Sequence, residues 1–421
     1  MKLSRIPLVA RIFAGFVGGA ALGLFLSECC APETTQKILP WISPFGTVLV
    51  DMLKAVVYPI ILFSLISGSS ALPLKQSGRV GGTVLLWYAA TSLFATVFGV
   101  VLAHALNPSM EGAASVASSH IAGAKALAGG AASGSIAAFI SGLFQNPFAA
   151  LANGQFLPVI VFAIAFGLAA RTLLDANPSS PVAGLLQTID AAQQVSFRLI
   201  DWVVLYFPFG VFALTASNFA ANGTLLFGPY MRITLCVIAG VSGMIFIVYP
   251  IAIAVFCREN PLRVLFKMRE AALTAFVTRS SAATLPVSFR AMDSLGVDRT
   301  ISSFSLPVGA TVNMNGVCVH LPVFVILAAN MFGHHLSLVE NATLCISIMF
   351  AAIGAGGIPG GSVFLLFMVL ENMGLPSDQV ALVVALALGI NPLLDMFETC
   401  CNVMGDNVCT YIVARKSGLT S

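Results

Sequence analysis

The sequence predicts an all-α polytopic membrane protein, with eight transmembrane helices plus two re-entrant helical hairpins in inverted repeats. Three observations predict it. Of 421 residues, 58% are hydrophobic and 9% charged, with mean hydropathy +0.96. A soluble domain carries roughly 25% charged residues, so these charges cannot cover a water-facing surface. Apolar runs of about 20 residues, enough to cross about 30 Å of hydrocarbon as a helix, recur from end to end, and the alternating ten-residue strands of a membrane barrel are absent. Finally, two apolar runs are interrupted by small, polar and proline residues, and each precedes a full span bearing polar groups, the pattern of repeats whose broken helices meet at mid-membrane.

The apolar segments lie near 8–28, 43–70, 81–105, 133–176, 187–220 and 226–257. An interrupted segment follows near 262–294, then a span near 300–332, a second interrupted segment near 337–374 and a last span near 379–414. Lys2, Arg5 and Arg11 surround the start of the first. No A-x-A cleavage site follows, so it reads as a transmembrane helix and not a signal peptide, with the N-terminus cytoplasmic. Lys75 and Arg79, then Arg258, Arg263, Lys267 and Arg269, then Arg415 and Lys416 all fall on that same side if there are eight crossings and the interrupted segments enter and return. The loop near 28–42, with Glu28 and Glu33, suits the outside, as does the Ala-, Gly- and Ser-rich stretch 106–135. The expectation is a single membrane domain in the cytoplasmic (inner) membrane, both termini inside.

The net charge of +3 and the lack of a basic patch with interleaved aromatics exclude a nucleic-acid partner. Most of the nine cysteines sit in apolar runs without zinc-ligand spacing and read as small packing residues. No HExxH, GxSxG or comparable signature marks an enzyme.

Charge at mid-membrane costs about 2.5–3.5 kcal/mol per residue, yet the last span holds Asn391, Asp395, Glu398, Asn402 and Asp406. Spacings of three and four form one continuous stripe on a helix. It is either a hydrogen-bond seam between helices or a cation and substrate pathway, and three acids exceed what a seam needs. The span near 300–332 carries Gly309, Ala310, Thr311, Val312, Asn313, Met314, Asn315 and Gly316. Glycines and paired asparagines invite unwinding, and freed carbonyls with amide oxygens are hard, neutral ligands suited to sodium. The alternative is a close helix contact through small residues. The interruptions are Thr278–Pro286 (TRSSAATLP) and Gly354–Ser362 (GAGGIPGGS), whose tip N–H groups could hold a carboxylate. Such backbone is tolerated at depth only where it lines a cavity or is covered by protein. His320, about a turn beyond Asn315, reads as a hydrogen-bonded interior histidine in preference to a proton-coupling group.

At these residues the chain resembles the dicarboxylate/amino acid:cation symporter family, with its glutamate-transporter-like fold. The similarity covers nearly the whole chain. It is strongest in TRSSAATLP, GATVNMNG, GAGGIPGGS and DMFETCCNVMGD, and extends to Asn146-Pro147-Phe148 and the run Leu157–Ala163. The resemblance implies a homotrimeric elevator-type transporter. Residues 1–75 and 133–220 would form a scaffold and trimerisation part. Residues 76–132 and 221–416, including hairpins 262–294 and 337–374, would form a mobile transport part.

By the same resemblance, Asp395 holds the substrate amino group, Asn402 and Thr399 contact the substrate, and Ser280 and Ser281 with Gly357 and Ile358 embrace its α-carboxylate; Thr284 and Val317 also line the site. One sodium site would use Asp406 with Gly309, Asn313 and Asn402. A second would use Thr311, Met314, Ala352, Ile353 and Ala355, and a third Tyr88, Thr91, Ser92, Asn313 and Asn315. Na+ is the implied coupling ion, with no organic cofactor. Two departures bear on the substrate. Members that carry acidic amino acids have an arginine where this chain has Glu398, which would repel a substrate carboxylate. Asp395-x-x-Glu398-Thr399 and Ser280-Ser281-Ala282-Ala283 look more like the serine/threonine:sodium symporter branch. Asn315 replaces an aspartate, which should weaken the third ion site. Glu398 is expected either to pair with Arg279 or to face a cationic or hydroxyl-bearing substrate. The expected function is sodium-coupled uptake of small neutral amino acids such as serine, threonine or alanine. The alternatives are a sodium- or proton-coupled glutamate/aspartate or C4-dicarboxylate symporter, or a cystine carrier of the same fold.

Overall fold

The computed structural model describes residues 8–70, 78–106, 144–152, 156–333, 336–353, 361–373 and 375–420. They are almost entirely helical, as the apolar runs require; the one extended pairing among them is an isolated bridge between Val297 and Thr420. Among the described residues, seven stretches are long and apolar enough to cross a membrane, and a further long helix is α2 (Pro32–Ser70).

Helix α1 (Leu8–Glu28) leads into α2 (Pro32–Ser70). The expected loop near 28–42 is therefore helix from Pro32 onward. Proline at the first helical position and Glu33 in the first turn are start signals, and Pro40, Pro44 and Pro59 are carried inside the helix. Helix α3 (Gly78–Leu106) follows. In the segment expected at 133–176, the described residues form α4 (Pro147–Ala152) and α5 (Phe156–Ala176), and the external connection expected at 106–135 lies almost wholly outside the described residues. Helix α6 (Val182–Asn222) is 41 residues long.

The most extensive packing of α1 and α2 is on α6, and α5 packs on α2. Gly15, Gly19 and Gly23 recur every four residues on α1. A Cβ at each would collide with the α6 backbone, at Pro208, Phe212 and Ala216 respectively. Removing side chains there lets two membrane helices approach closely enough for dispersion to hold them, where lipid offers no hydrophobic drive between helices.

The rest of the chain packs around a buried axis. Helix α7 (Phe227–Gly243) passes through a π-helical turn at Met244–Val248 into α8 (Tyr249–Cys257). Helices α9 (Pro261–Thr278) and α10 (Ser281–Ser294) pack on each other. Helix α11 (Arg299–Val312) is followed by α12 (Asn315–Met331), in which every residue but Asn330 is buried. Helices α13 (Leu338–Ile353) and α14 (Gly361–Asn372) flank residues 354–360, and α15 (Ser377–Lys416) closes the chain. Helix α12 packs on α3, α7, α15 and α14, and α15 on α9, α11 and α10.

Of the basic residues expected on one side, Lys267, Arg415 and Lys416 have described contacts, while Lys2, Arg5 and Lys75 lie outside the described residues. Arg415 pairs with Glu259 at 2.5 Å, and Tyr411 donates to the same carboxylate at 2.6 Å. The Lys416 ammonium lies 4.4 Å from the Phe256 ring centre, and Lys267 donates to the Ser294 carbonyl at 2.7 Å. Asp298 caps α11, accepting from the Thr300 N–H at 2.7 Å. The Thr300 hydroxyl and N–H hold this exposed carboxyl below its ordinary value.

Candidate ion and substrate site

Two helix breaks build the site. The α11–α12 run unwinds at Asn313 and Met314, whose φ/ψ of −100°/74° and −97°/61° leave the helical region. This is the unwinding that the glycine and paired asparagines predict. It leaves the last carbonyls of α11 and the first N–H groups of α12 without in-helix partners. The α9–α10 break takes two residues. Arg279 adopts the left-handed conformation at φ 54° and returns its N–H to the Ala275 carbonyl. Ser280 is extended and its hydroxyl caps α10, accepting from the Ala283 N–H at 3.2 Å. A left-handed arginine is uncommon and turns the chain sharply where a glycine would do so at less cost.

The stripe on α15 is wholly buried: Asn391, Asp395, Glu398, Asn402 and Asp406 are each at most 4% exposed. It meets the α11–α12 break directly. Asn313 donates from its amide to Asp406 at 2.9 Å and accepts from the Thr91 hydroxyl at 3.1 Å. Asn315 accepts from the Ser92 hydroxyl at 3.3 Å and donates to the Tyr249 hydroxyl at 3.0 Å, which donates onward to the Cys401 carbonyl at 3.0 Å. The Tyr88 hydroxyl donates to the Ser305 carbonyl at 2.8 Å. A Cβ on Gly309 would lie 2.7 Å from both an Asp406 oxygen and the Tyr88 hydroxyl, and one on Gly405 would lie 2.6 Å from the Asn315 amide and the Tyr249 hydroxyl. Gly309 must be glycine for α3, α11 and α15 to converge, and Gly405 for α15 to meet α8 and α12. Asn402 accepts from the Gly316 N–H at 2.6 Å, satisfying a donor the break exposes.

These contacts join Tyr88, Thr91, Ser92, Gly309, Asn313, Asn315, Asn402 and Asp406, expected from separate regions, into one cluster. Its donors are oxygens, with Asp406 as its one acid. Among the described residues no three His, Cys, Asp or Glu side chains gather as a transition-metal site requires. Thr311 turns its hydroxyl back to the Val308 carbonyl at 2.9 Å. Met314 and Ala352 are buried and Ile353 is partly exposed at the end of α13, which touches α11. Ala355, Gly357 and Ile358 lie outside the described residues.

On the substrate side, Ser281 is buried and its hydroxyl has no partner among the described residues, an open donor of the kind a carboxylate would satisfy. The Thr284 hydroxyl is engaged by the Ser280 carbonyl at 2.8 Å. Thr399 and Val317 are buried on α15 and α12. The expected Arg279–Glu398 pair is not formed. Arg279 lies 3.6 Å from Asp395, and Glu398 is taken by His320 at 2.5 Å. The reason is register: the α12 backbone at Gly316 lies against the α15 backbone at Glu398, which brings His320, one turn on, to that carboxylate. Tyr249 was not anticipated from sequence. Its signal, a lone phenol followed by proline in an apolar run, is weak, and the π-helical turn before it, a feature common at functional sites, has no sequence marker here.

A family model described as the Sodium:dicarboxylate symporter family matches residues 8–416. The chain is 33% identical to the serine/threonine transporter SstT of Bifidobacterium adolescentis, covering 95% of this chain and 87% of the relative. It is 31% identical to the neutral amino acid transporter B(0) of Homo sapiens, covering 95% and 78%. It is also 26% identical to the proton/glutamate-aspartate symporter of Escherichia coli, covering 99% and 94%.

Proposed function

The chain belongs to the sodium:dicarboxylate symporter family, and from that premise we propose that it is a secondary active symporter coupling inward sodium movement to uptake of small neutral amino acids such as serine, threonine or alanine. The observation that carries the proposal is the buried oxygen cluster at the α11–α12 break. Asp406, Asn313 and the freed carbonyls of α11 offer hard oxygen donors and a compensating negative charge deep among apolar helices, which suits a desolvated sodium ion. Glu398 favours a neutral over an acidic substrate, because a second carboxylate beside it would add like charge in a low-dielectric site. Relatives named as carriers of serine and threonine or of neutral amino acids support the same choice.

In this reading Asp395 receives the substrate amino group, Ser280 and Ser281 with Gly357 and Ile358 hold its α-carboxylate, and Thr399 and Asn402 complete the site. Asp406, Asn402, Gly309, Asn313, Met314, Thr311, Ala352, Ile353, Ala355, Tyr88, Thr91, Ser92 and Asn315 form the sodium sites. The protein works as a homotrimer in the cytoplasmic membrane with both termini inside, through eight crossings and two re-entrant hairpins. Residues 1–75 and 133–220 stay fixed while 76–132 and 221–416 move. The mutual packing of α1, α2, α5 and α6, and of α3 with α7 to α15, supports that division. An acidic-substrate or proton-coupled carrier is the second reading, favoured by the Arg279 guanidinium beside Asp395.

Purified protein in liposomes with an inward sodium gradient and labelled amino acids tests these readings. Serine, threonine or alanine should accumulate ahead of aspartate and glutamate. The opposite order refutes the substrate assignment, and equal uptake with choline replacing sodium refutes the coupling ion.

A further inference from the structure

We propose that His320 is a specificity-determining positioning residue, locking Glu398 so that its second oxygen accepts a hydrogen bond from the side-chain hydroxyl of the substrate; this rests on the reading of the site as one for small neutral amino acids. The pair is built as a fixture. His320 is 1% exposed and Glu398 3%, and Nδ1 lies 2.5 Å from Oε2. The imidazole ring packs at 5.0 Å on Phe324, one turn along α12. The two backbones are already in register, with Gly316 against Glu398 and the Gly316 N–H on Asn402. The carboxylate is thus held from α12 at one turn's spacing, with no freedom to swing toward Arg279, which is engaged by Asp395.

His320 takes one oxygen of Glu398. No donor reaches Oε1 among the described residues, and Glu398 lies on the same helix face as Asp395 and Asn402, three residues after one and four before the other. On a residue only 3% exposed, a carboxylate oxygen that no protein donor reaches takes its hydrogen bond from what enters the site. With Nδ1 on Oε2, Oε1 keeps its lone pairs as an acceptor. The chemistry that completes it is a neutral donor on a short side chain, which serine and threonine carry and alanine lacks. A site with a buried acceptor rejects the analogue lacking the donor more strongly than an apolar site rejects an added hydroxyl.

The test uses sodium-driven uptake of labelled serine and alanine by the full chain in liposomes. Asparagine places its amide N–H where imidazole Nδ1 sits, whereas glutamine reaches to the Nε2 position. His320→Asn should therefore keep the serine-to-alanine ratio of KM within about threefold of the parent. His320→Gln and His320→Leu should raise the serine KM at least about tenfold more than the alanine KM, the scale of one hydrogen bond to a charged acceptor. Equal shifts for serine and alanine, or Asn and Gln variants that behave alike, would overturn the inference while leaving the functional reading intact. If His320→Leu fails to fold, the Asn and Gln pair decides alone. A parent protein that takes up neither amino acid on a sodium gradient would remove the functional reading and this inference with it.

Discussion

Asp406 is the one acid in the oxygen cluster, buried at 3% exposure and held by the Asn313 amide. If sodium binds there, Asp406→Asn removes the charge while keeping size and one acceptor. The expected outcome is an increase of about tenfold or more in the sodium concentration giving half-maximal serine uptake, since a charged ligand contributes roughly 1.5–3 kcal/mol. Titrating uptake against sodium checks it, and an unchanged curve would remove Asp406 from the ion site. A second prediction concerns Arg279. Its side chain is 16% exposed and that of Asp395 is 3%, so part of the attraction is screened. A double-mutant cycle on thermal unfolding in detergent should give a coupling of about 0.5–2 kcal/mol between Arg279→Gln and Asp395→Asn, and near-additivity between Arg279→Gln and Glu398→Gln. Coupling to Glu398 instead would show that the ion pair follows the sequence-based expectation and not the geometry described here.

At the scale of helices, what was legible in the sequence follows from how local the signal is. The break at Asn313–Met314, the turn at Arg279–Ser280 and the buried stripe on α15 are written in adjacent residues: glycine, asparagine, a capping serine, acids at three- and four-residue spacing. The partner of Glu398 was not legible, because it depends on how Gly316 lets α12 slide against α15, a relation between residues 82 positions apart. The start of α2 was missed for another reason: Pro32 and Glu33 read as loop by polarity but as a helix start by position. The Gly15, Gly19 and Gly23 ladder is an element-scale feature with its own test. Gly19→Leu should lower thermal stability in detergent by about 1–3 kcal/mol, the usual cost of forcing atoms into a closed contact, because Phe212 and Thr215 of α6 occupy the space. Gly184, whose Cβ would meet nothing within 4 Å, is the matched control for Gly19. Equal effects of leucine at both positions would mean that α1 and α6 are not in the tight contact described.

At the scale of the whole molecule, α1, α2, α5 and α6 pack mainly on one another as one body, α3 packs with α7 to α15 as another, and α15 touches both α1 and α6. Helix α1 rests on α6 through backbone contact at the glycine ladder, and α2 packs on the same helix. The other body concentrates its buried acids, amides and helix breaks on α11, α12 and α15. Sodium and substrate would add donors and acceptors only to the second, so only its local opening free energy should rise, by RT ln(1 + [L]/Kd). Hydrogen–deuterium exchange of the protein in detergent or nanodiscs can read this segment by segment. With sodium and serine at about 100 times their dissociation constants, amides in 309–316 and 279–284 should slow by up to about a hundredfold. Those of α1 and of 205–220 in α6 should not change. Protection spread evenly over both bodies would mean that ligands tighten the chain as a single unit, and would end the division into a fixed scaffold and a mobile transport part. Protection at 309–316 with sodium alone, extending to 279–284 only when serine is added, would further order the two events, the ion organising the α11–α12 break before the substrate reaches Ser280 and Ser281.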